Sequence, residues 1–282
     1  MVEAFHPATL GEALRIREHS GAVPFAGGTD LMVKLGRGTG VLPAFQGPVL
    51  FLDGCGELKT LAERDGTVEA GSMVTLSALA RSPIVPPALR EIVLQMAAPG
   101  LRNVATMGGN ICNASPAGDT LPFLYAFEAK VRLVSSGGER TMPLEDFIAG
   151  PGTTRLGPEE LLHSVSFPAW NPAIRFYRKV GTRRANALTK VSIAAFADLS
   201  EGLVARARIA VGAVAPTVVR LRAIEEMLQG AGPRDRERMA EAARRGAEEA
   251  VRPIDDQRST AEYRRQVAAG LAGLFVEQAL GG

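Results

Sequence analysis

Two glycine-bearing stretches carry the residues best suited to binding chemistry, FAGGTDL at 25–31 and TMGGN at 106–110. Each joins an apolar run to a Gly-Gly step followed by small polar residues. Glycine permits left-handed backbone angles and lets a bulky ligand approach the main chain closely. Successive N–H groups in such a turn form a concave nest for anionic oxygens, and Thr29, Thr106 and Asn110 would add side-chain donors. Two nests suit a pyrophosphate held between two loops; alternatively, each stretch is a tight turn in a β-rich domain.

The second stretch lies within ATMGGNICNASPAGDT, residues 105–120. Its Gly, Asn and Ser content predicts neither a good helix nor a good strand. Asp119 is its only acid, and a carboxylate there could accept hydrogen bonds from ribityl or ribose hydroxyls or from a flavin imide N–H. The alternative role for Asp119 is the N-cap of a helix over TLPFLYAF. Asn113 begins a glycosylation sequon that no secretion signal supports, and Cys112 is predicted to be a small buried apolar residue.

Composition and motifs argue against several other functions. The formal net charge is +2 over 282 residues with no isolated basic block, which disfavours nucleic acid as the main partner. Two distant cysteines and three scattered histidines predict neither a metal site nor an iron–sulfur cluster. GRGTG at 36–40 is interpreted as an ordinary loop, and no Walker A sequence is present. No apolar run is long enough to span a membrane and no secretory signal is evident, so a cytoplasmic protein is expected.

The N-terminal part reads as alternating short helices and strands. Thr9 and Glu12 predict a capping box, with a helix stop at Gly21. The first glycine stretch should follow a strand and lead into a second strand or a helix, and GPVLFLDG predicts a buried strand. GTVEAGSMVTLSALA predicts a strand passing into a helix capped by Thr75 or Ser77. PPALREIVLQMAA predicts a helix, LPFLYAFEAKVRLVSS a helix then a strand, and GGERTMPLEDFIAG a hairpin and short helix.

The organisation changes at residues 168–172, where two prolines bracket an exposed-looking Trp170 and mark a linker. Beyond it, IRFYRKVG, TKVSIAAFADLS and VARARIAVGAVA predict three strands. VRLRAIEEMLQG predicts an amphipathic helix, and the chain from Pro233 onward should be helical with one charged face. The fold class predicted from this pattern is α+β with two domains, 1–169 and 170–282.

PFAGGTDLMVKL and LRNVATMGGNICNASPAGDTLPFLYAFEAKVRL resemble the FAD-binding subunits of the xanthine dehydrogenase family of molybdenum hydroxylases, which include the medium subunit of aerobic carbon monoxide dehydrogenase. EELLHSVSFP, FYRKVGTRRANALTKVSIA and STAEYRRQVAAGL extend the resemblance over nearly the whole chain. It implies an FAD-binding domain of the vanillyl-alcohol-oxidase (PCMH) type with two subdomains of about 1–54 and 55–169. A smaller α+β domain with a three-stranded sheet follows. It also implies that the two glycine loops hold the pyrophosphate and adenosine half of FAD.

The resemblance implicates particular residues in cofactor binding and assigns no catalytic or metal-binding residue. Those of the first loop are Phe25, Ala26, Gly27, Gly28, Thr29, Asp30 and Leu31. Those of the second loop and beyond are Thr106, Gly108, Gly109, Asn110, Asp119, Leu162, His163 and Lys179, with Met96 near the flavin ring. A partly buried strand histidine is the alternative for His163. Neither loop has a His or Cys placed for covalent attachment, so FAD should be bound non-covalently.

The resemblance also implies partners: a large molybdopterin subunit, a small subunit with two [2Fe-2S] clusters, and an electron acceptor such as NAD+. Two alternatives stay open, a free-standing flavin oxidoreductase of the vanillyl-alcohol-oxidase type and a non-catalytic assembly subunit. One hypothesis concerns a basic cluster that would raise the flavin potential and attract an anionic acceptor. Its members are Arg175, Arg178, Lys179, Arg183, Arg184 and Lys190. The alternative is a solvated loop whose charges face water or partner subunits.

Overall fold

The computed structural model describes residues 2–39, 41, 43–183 and 187–281. Its strands are β1 Ala4–Phe5, β2 Val23–Phe25, β3 Val49–Phe51, β4 Leu61–Arg64, β5 Thr67–Gly71, β6 Lys130–Ser135, β7 Gly138–Pro143, β8 Ile148–Gly150, β9 Thr153–Thr154, β10 Leu161–Pro168, β11 Ile174–Val180, β12 Val191–Ser200, β13 Leu203–Gly212 and β14 Val219–Arg220. Its helices are α1 Leu10–Ser20, α2 Leu31–Leu35, α3 Leu76–Arg81, α4 Pro87–Leu94, α5 Pro99–Arg102, α6 Met107–Asn113, α7 Leu121–Ala126, α8 Leu144–Phe147, α9 Arg222–Leu228, α10 Arg236–Ala250 and α11 Ala261–Ala279. Short 3₁₀ turns occupy Gly56–Lys59 and Pro233–Asp235.

The chain divides into two compact units. The first contains residues 1–85, 97–114 and 129–169, and the second contains 86–96, 115–128 and 170–282. The second unit begins at Trp170 in its last segment, but it also takes α4 and α7 from the N-terminal part of the chain. A single boundary near residue 170 therefore does not assign these two helices to the second unit.

The first unit contains a parallel sheet and an antiparallel sheet. The parallel sheet has the order β1-β3-β2, and the antiparallel sheet has the order β4-β5-β10-β6-β7. A small β8–β9 pair follows α8. Helix α1 begins at the N-cap Thr9, whose hydroxyl accepts from the N–H of Glu12, and ends at Gly21 with φ of 62°. The Glu12 side chain accepts from the N–H of Ala8, so the reciprocal bond of the capping box falls one residue earlier than predicted.

The second unit is built on the antiparallel sheet β11-β12-β13-β14. Alternate residues of β12 point to opposite faces. Ile193 and Ala195 belong to the same buried core as α9, α10 and α11, whereas Phe196 contacts Phe123 of α7. Both faces of the sheet are therefore covered, which explains the nearly continuous apolar run of β12. The three predicted strands are present, and the two-residue β14 joins them.

Trp170 is half-buried, so the prediction of an exposed linker tryptophan is wrong. Its ring lies 5.1 Å from that of Phe127, and its Nε1–H donates to Asp198 at 2.6 Å. The Arg206 guanidinium stacks over the same ring at 4.0 Å from its centroid. A tryptophan between two prolines suggests an exposed linker when only the sequence is considered. In the fold, however, the indole packs against an apolar neighbour and donates to a hydrogen-bond acceptor.

Candidate functional site

The first glycine loop connects the end of β2 to the start of α2. Among the residues that the structure describes, the backbone N–H groups from Ala26 through Leu31 donate to no protein acceptor. These amides belong to a half-buried segment in which only Asp30 is exposed. Unpaired amides that are concentrated in this way form a site for anionic oxygens, as a nest requires.

Two glycines set the path of this loop. A Cβ on Gly27 would lie 2.0 Å from the carbonyl oxygen of Val104, so only glycine fits against that backbone. Gly28 has φ of 67°, and a Cβ there would lie 2.3 Å from the ring of Phe25. The Phe25 ring in turn packs at 4.7 Å from the ring of Phe51 on β3. The Gly-Gly step is therefore required by close contacts as well as by backbone angle.

The second glycine motif is helical, which contradicts the expectation of a poor helix. Thr106 is the N-cap of α6, and its hydroxyl accepts from the N–H of Gly109 at 3.0 Å. The N–H of Gly108 donates to the carbonyl of Ser72, and that of Asn110 donates to the carbonyl of Thr106. The backbone amides of this motif thus have protein acceptors, and the prediction of a second nest of unpaired N–H groups is wrong. A cap residue and a backbone acceptor on a neighbouring segment outweigh the low helix propensity of Gly and Asn.

The two motifs are in direct contact within the first unit. Val104, which Gly27 approaches, comes two residues before the N-cap of α6, and a Cβ on Gly109 would lie 3.7 Å from that of Ala26. The Asn113 side chain links them further: it donates to Asp30 at 2.6 Å and accepts from Lys34. The second motif therefore supports the first loop mechanically, and Asn113 is the connecting residue that its sequon context did not suggest.

Leu162 and His163 lie on β10 at a bulge between its pairings with β6. Leu162 is buried, while His163 is half-buried and its ring nitrogen Nδ1 lies 2.7 Å from an amino group of Arg132. Burial, and then the Arg132 charge, lower the pKa of His163. The carbonyl of His163 accepts from Ser72, the residue that also accepts from Gly108. His163 is therefore a partly buried histidine on a strand, which is the environment that the alternative interpretation predicts.

Three of the implicated residues, Met96, Asp119 and Lys179, belong to the second unit. Asp119 is nearly buried and accepts from Lys179 at 2.5 Å and from the Thr189 hydroxyl at 2.6 Å. The N-cap position of α7 is Thr120, with no side-chain capping bond, so the alternative of Asp119 as an N-cap is wrong. Met96 is buried shortly after α4.

The predicted basic cluster is not one surface. Along β11, Arg175 and Lys179 share one face of the strand and Arg178 lies on the other. Each has its own partner: Arg175 pairs with Glu91, Arg178 stacks over the Phe176 ring, and Lys179 pairs with Asp119. Lys190 lies 5.6 Å from the ring centroid of Tyr263, and Arg184 falls outside the described residues. The grouping by sequence position therefore does not correspond to a single patch of unpaired charge.

Cys112 as a whole residue is partly exposed, but its thiol is buried as predicted, and that burial raises the thiol pKa to about 12. Cys55 is buried and its thiol pKa is raised to about 11, chiefly by burial. Within the described ranges, no group of three or more His, Cys, Asp and Glu side chains could hold a metal ion. No helix in that part of the chain is long and apolar enough to cross a membrane.

Comparison with known proteins places this geometry in a family. The model for the FAD binding domain in molybdopterin dehydrogenase matches residues 1–170, and that for the CO dehydrogenase flavoprotein C-terminal domain matches residues 175–279. The chain belongs to the FAD-binding medium subunits of the molybdenum hydroxylases. This subunit is therefore part of an oxidoreductase and binds FAD, and the mixed fold with an FAD-binding domain and a C-terminal domain is confirmed.

Individual relatives agree over nearly their whole length. The xanthine dehydrogenase FAD-binding subunit of Escherichia coli O157:H7 is 29% identical over 97% of this chain and 94% of its own. The carbon monoxide dehydrogenase structure from Hydrogenophaga pseudoflava, which lacks the Mo-pyranopterin moiety of its cofactor, has 30% identity and a TM-score of 0.86, covering 99% of this chain and 96% of that chain. A reconstituted CO dehydrogenase from Oligotropha carboxidovorans has 25% identity and a TM-score of 0.89, covering 100% and 98%.

The first glycine loop fits the cofactor that the family binds. A pyrophosphate carries anionic oxygens, and the amides from Ala26 to Leu31 supply donors without partners among the described residues. The close backbone contact at Gly27 fixes where those donors point. The helical second motif supplies support for this loop through Ala26 and Asn113, rather than a second set of unpaired amides.

Proposed function

We propose that this chain is the flavin-carrying electron-transfer subunit of a multi-subunit molybdenum hydroxylase. It takes electrons from the [2Fe-2S] clusters of a small partner subunit and passes them to NAD+ or another acceptor, while a large molybdopterin subunit hydroxylates the substrate. The observation that carries the proposal is the run of unpaired amides from Ala26 to Leu31. A non-catalytic assembly subunit would have no use for such a run, since unpaired half-buried amides cost stability unless a ligand or water satisfies them.

Bound FAD supplies the redox chemistry, collecting single electrons and releasing them in pairs. The chain's residues bind and orient it. The amides of the first loop and the Thr29 hydroxyl would hold the pyrophosphate, and Phe25 packs against Gly28 within that loop. The contacts implied for Thr106, Asn110, Leu162 and Met96 are part of the same proposal and rest on the resemblance in sequence.

Asp119 and Lys179 contribute a buried ion pair from the second unit. An ammonium group near a flavin favours the reduced, more negatively charged form, because the attraction is strong where water is excluded. For Asp119 and Lys179 a contact with the cofactor is proposed on the resemblance in sequence alone, and within the second unit the carboxylate of Asp119 holds the Lys179 ammonium.

The first experiment is the visible spectrum of the purified full chain after FAD is added and excess removed by desalting. We expect one yellow flavin per chain, released on denaturation because the binding is non-covalent. ADP should compete, since it carries the same pyrophosphate, whereas riboflavin should bind far more weakly. A chain that stays colourless both alone and when co-expressed with its molybdopterin and iron–sulfur partners would contradict the proposal and favour the assembly subunit.

A second measurement addresses the electron acceptor. NADH mixed anaerobically with the FAD-loaded chain should bleach the visible flavin band, since a subunit that reduces NAD+ also runs in reverse. Oxidation of the chemically reduced flavin by a quinone but not by NAD+, with no bleaching by NADH, would replace NAD+ with a quinone as the acceptor.

A further inference from the structure

Helix α2, which follows the first glycine loop, is weakly held by its own residues. It spans only Leu31–Leu35, and none of these side chains is buried. An isolated helix this short is not stable in water. Asp30 occupies the N-cap position, yet its carboxylate makes no capping bond to the helix. The position of α2, and with it the end of the amide run from Ala26 to Leu31, therefore depends on contacts outside the helix.

The side chain of Asn113 supplies such contacts at both turns of α2. Its amide donates through Nδ2 to Asp30 at 2.6 Å and accepts through Oδ1 from the Lys34 ammonium. Asp30 and Lys34 are four residues apart, so their side chains lie on the same side of the helix. A carboxylate can only accept and an ammonium can only donate, so these partners fix which way the amide points. We call these three side chains the Asn113 bridge.

Asn113 itself belongs to a firmly held helix. It is the last residue of α6, in which the side chains of Met107 and Ile111 are fully buried. The Thr106 hydroxyl caps the other end of that helix. The Asn113 bridge therefore ties a short, exposed helix to one that is anchored by buried side chains.

The amide run of the first loop is thus fixed at both ends. At its start, Gly27 lies against the carbonyl oxygen of Val104. At its end, Asn113 holds Asp30, whose own N–H belongs to the run. All of these residues lie in the first unit. Backbone N–H groups that are already held in place bind an anion more tightly, because less freedom is lost when it binds.

We infer that Asn113 is a positioning residue for the FAD pyrophosphate: by tying both turns of α2 to α6, it fixes the direction of the last amides of the run. This inference rests on the proposed function, because it requires the pyrophosphate to lie on that run. Local sequence gives no reason to select Asn113, since an asparagine four residues after Gly109 could equally face solvent. Its contacts with residues 79 and 83 positions away distinguish it.

The test compares Asn113→Ala with a swapped pair, Asp30→Asn together with Asn113→Asp, in the full chain. Asn113→Ala loses a hydrogen bond to a carboxylate, so FAD should bind about tenfold more weakly, measured by quenching of flavin fluorescence. In the swapped pair, the amide at position 30 donates to the carboxylate at position 113, which also accepts from Lys34. The bridge re-forms with donor and acceptor reversed, so FAD affinity should return close to that of the unmodified protein.

Asn113→Asp alone distinguishes the bridge from a general loss of packing. It keeps the size of the side chain and the bond from Lys34, but it places two carboxylates opposite each other. FAD affinity should fall at least as far as in Asn113→Ala, and adding Asp30→Asn should restore it. A defect that the second substitution does not repair would overturn the positioning role, because repair requires a direct bond between positions 30 and 113.

Arg140→Ala is the matched control, because Arg140 forms another side-chain bridge in the first unit. Its guanidinium pairs with Glu160 at 2.6 Å and donates to the carbonyl of Arg155. FAD affinity of the folded Arg140→Ala protein should equal that of the unmodified protein. An equal loss in Arg140→Ala and Asn113→Ala would indicate general loosening of the unit and overturn the inference.

A measurement without FAD separates this inference from the proposed function. In α2 the N–H of Met32 donates to Gly28 and that of Lys34 donates to Asp30, so hydrogen–deuterium exchange over residues 31–35 reports how firmly the helix is held. In the FAD-free chain, Asn113→Ala should speed this exchange roughly tenfold, and the swapped pair should slow it again.

The two measurements together decide between the outcomes. If hydrogen exchange follows this pattern but even the unmodified protein binds no FAD, the proposed function fails and the role toward pyrophosphate fails with it, while the tie between Asn113 and α2 stands. If FAD binds, two results would overturn the inference alone. These are unchanged hydrogen exchange in Asn113→Ala, and faster exchange with unchanged FAD affinity.

Discussion

The loop from Phe25 to Leu31 and the helix Met107–Asn113 both contain a Gly-Gly step, but their backbone amides have different partners. In the loop, the amides from Ala26 through Leu31 donate to no acceptor among the described residues. In the helix, the amides of Gly108, Gly109 and Asn110 donate to Ser72, to the Thr106 hydroxyl and to the Thr106 carbonyl. The two motifs have similar sequences but differ in which backbone N–H groups have no protein acceptor.

The comparison shows which backbone N–H groups are available to a ligand. A backbone that satisfies itself, as α6 does, is stable without a ligand and serves as support. In the first loop, close contacts at Gly27 and Gly28 set the path of the backbone. Its N–H groups have no acceptor among the described residues, so only water or a ligand can accept their hydrogen bonds. The first loop should therefore control FAD affinity, and the second motif should control stability.

The largest expected effect comes from Gly27→Ala. Its Cβ would meet the Val104 carbonyl oxygen at 2.0 Å, so the loop must shift and its amides lose their alignment. Losing one or two charge-assisted hydrogen bonds should weaken FAD binding about 100-fold, measured by quenching of flavin fluorescence. Gly11→Ala is the control, because a Cβ at that position in α1 has nothing within 4 Å and FAD affinity should not change. An unchanged affinity in Gly27→Ala would remove the first loop from the site.

A smaller effect, on stability rather than on FAD affinity, is expected for Thr106→Ala. Removing the hydroxyl that caps Gly109 should lower the free energy of unfolding by about 1 kcal/mol, measured by denaturant titration. FAD affinity of the folded protein should change much less than in Gly27→Ala, and Thr106→Ser should restore most of the stability. If Thr106→Ala instead weakens FAD binding as strongly as Gly27→Ala does, the contrast between the two motifs is wrong.

The smallest effect concerns pH. The pKa of His163 is lowered in the folded chain by burial and by Arg132, so protonation opposes folding. The stability that neutral His163 permits is complete above the ordinary histidine pKa of about 6.5 and is lost as pH falls from there toward the lower folded value. We expect His163→Gln to lose less stability than the unmodified protein between pH 7 and 5, measured by denaturant midpoints. A parallel loss in both proteins would mean that the titration of the His163 ring does not contribute to the pH dependence of stability.

Local signals predicted much of the fold. The cap at Thr9, the stop at Gly21 and the strands of the C-terminal sheet follow from residue type and spacing, and all are present. Predictions from residue patterns were wrong where contacts with residues distant in sequence determine the burial of a side chain. Trp170 was predicted to be exposed because its sequence neighbours are prolines, yet Phe127 and Asp198 bury it.

The same division holds for the candidate site. The resemblance implicated Asp119 and Lys179 individually, but their direct pairing and the bond from Thr189 are tertiary facts. Likewise, the sequence placed six basic residues near one another, while the strand β11 sends alternate side chains to opposite faces. A charge cluster in sequence becomes a surface only if the fold keeps it on one side.

The family, the cofactor and the positions of the two glycine motifs can be predicted from the residues themselves, and close backbone contacts at Gly27 and Gly108 explain why glycine occurs there. Which motif keeps its amides free, and which side chains hold the buried carboxylate of Asp119, depends on contacts that form only in the fold. The physical reason is that a hydrogen-bond donor is available or taken according to what lies next to it in space. The neighbours that determine this availability are Ser72, Val104 and Thr189, and no local sequence pattern predicts their contacts.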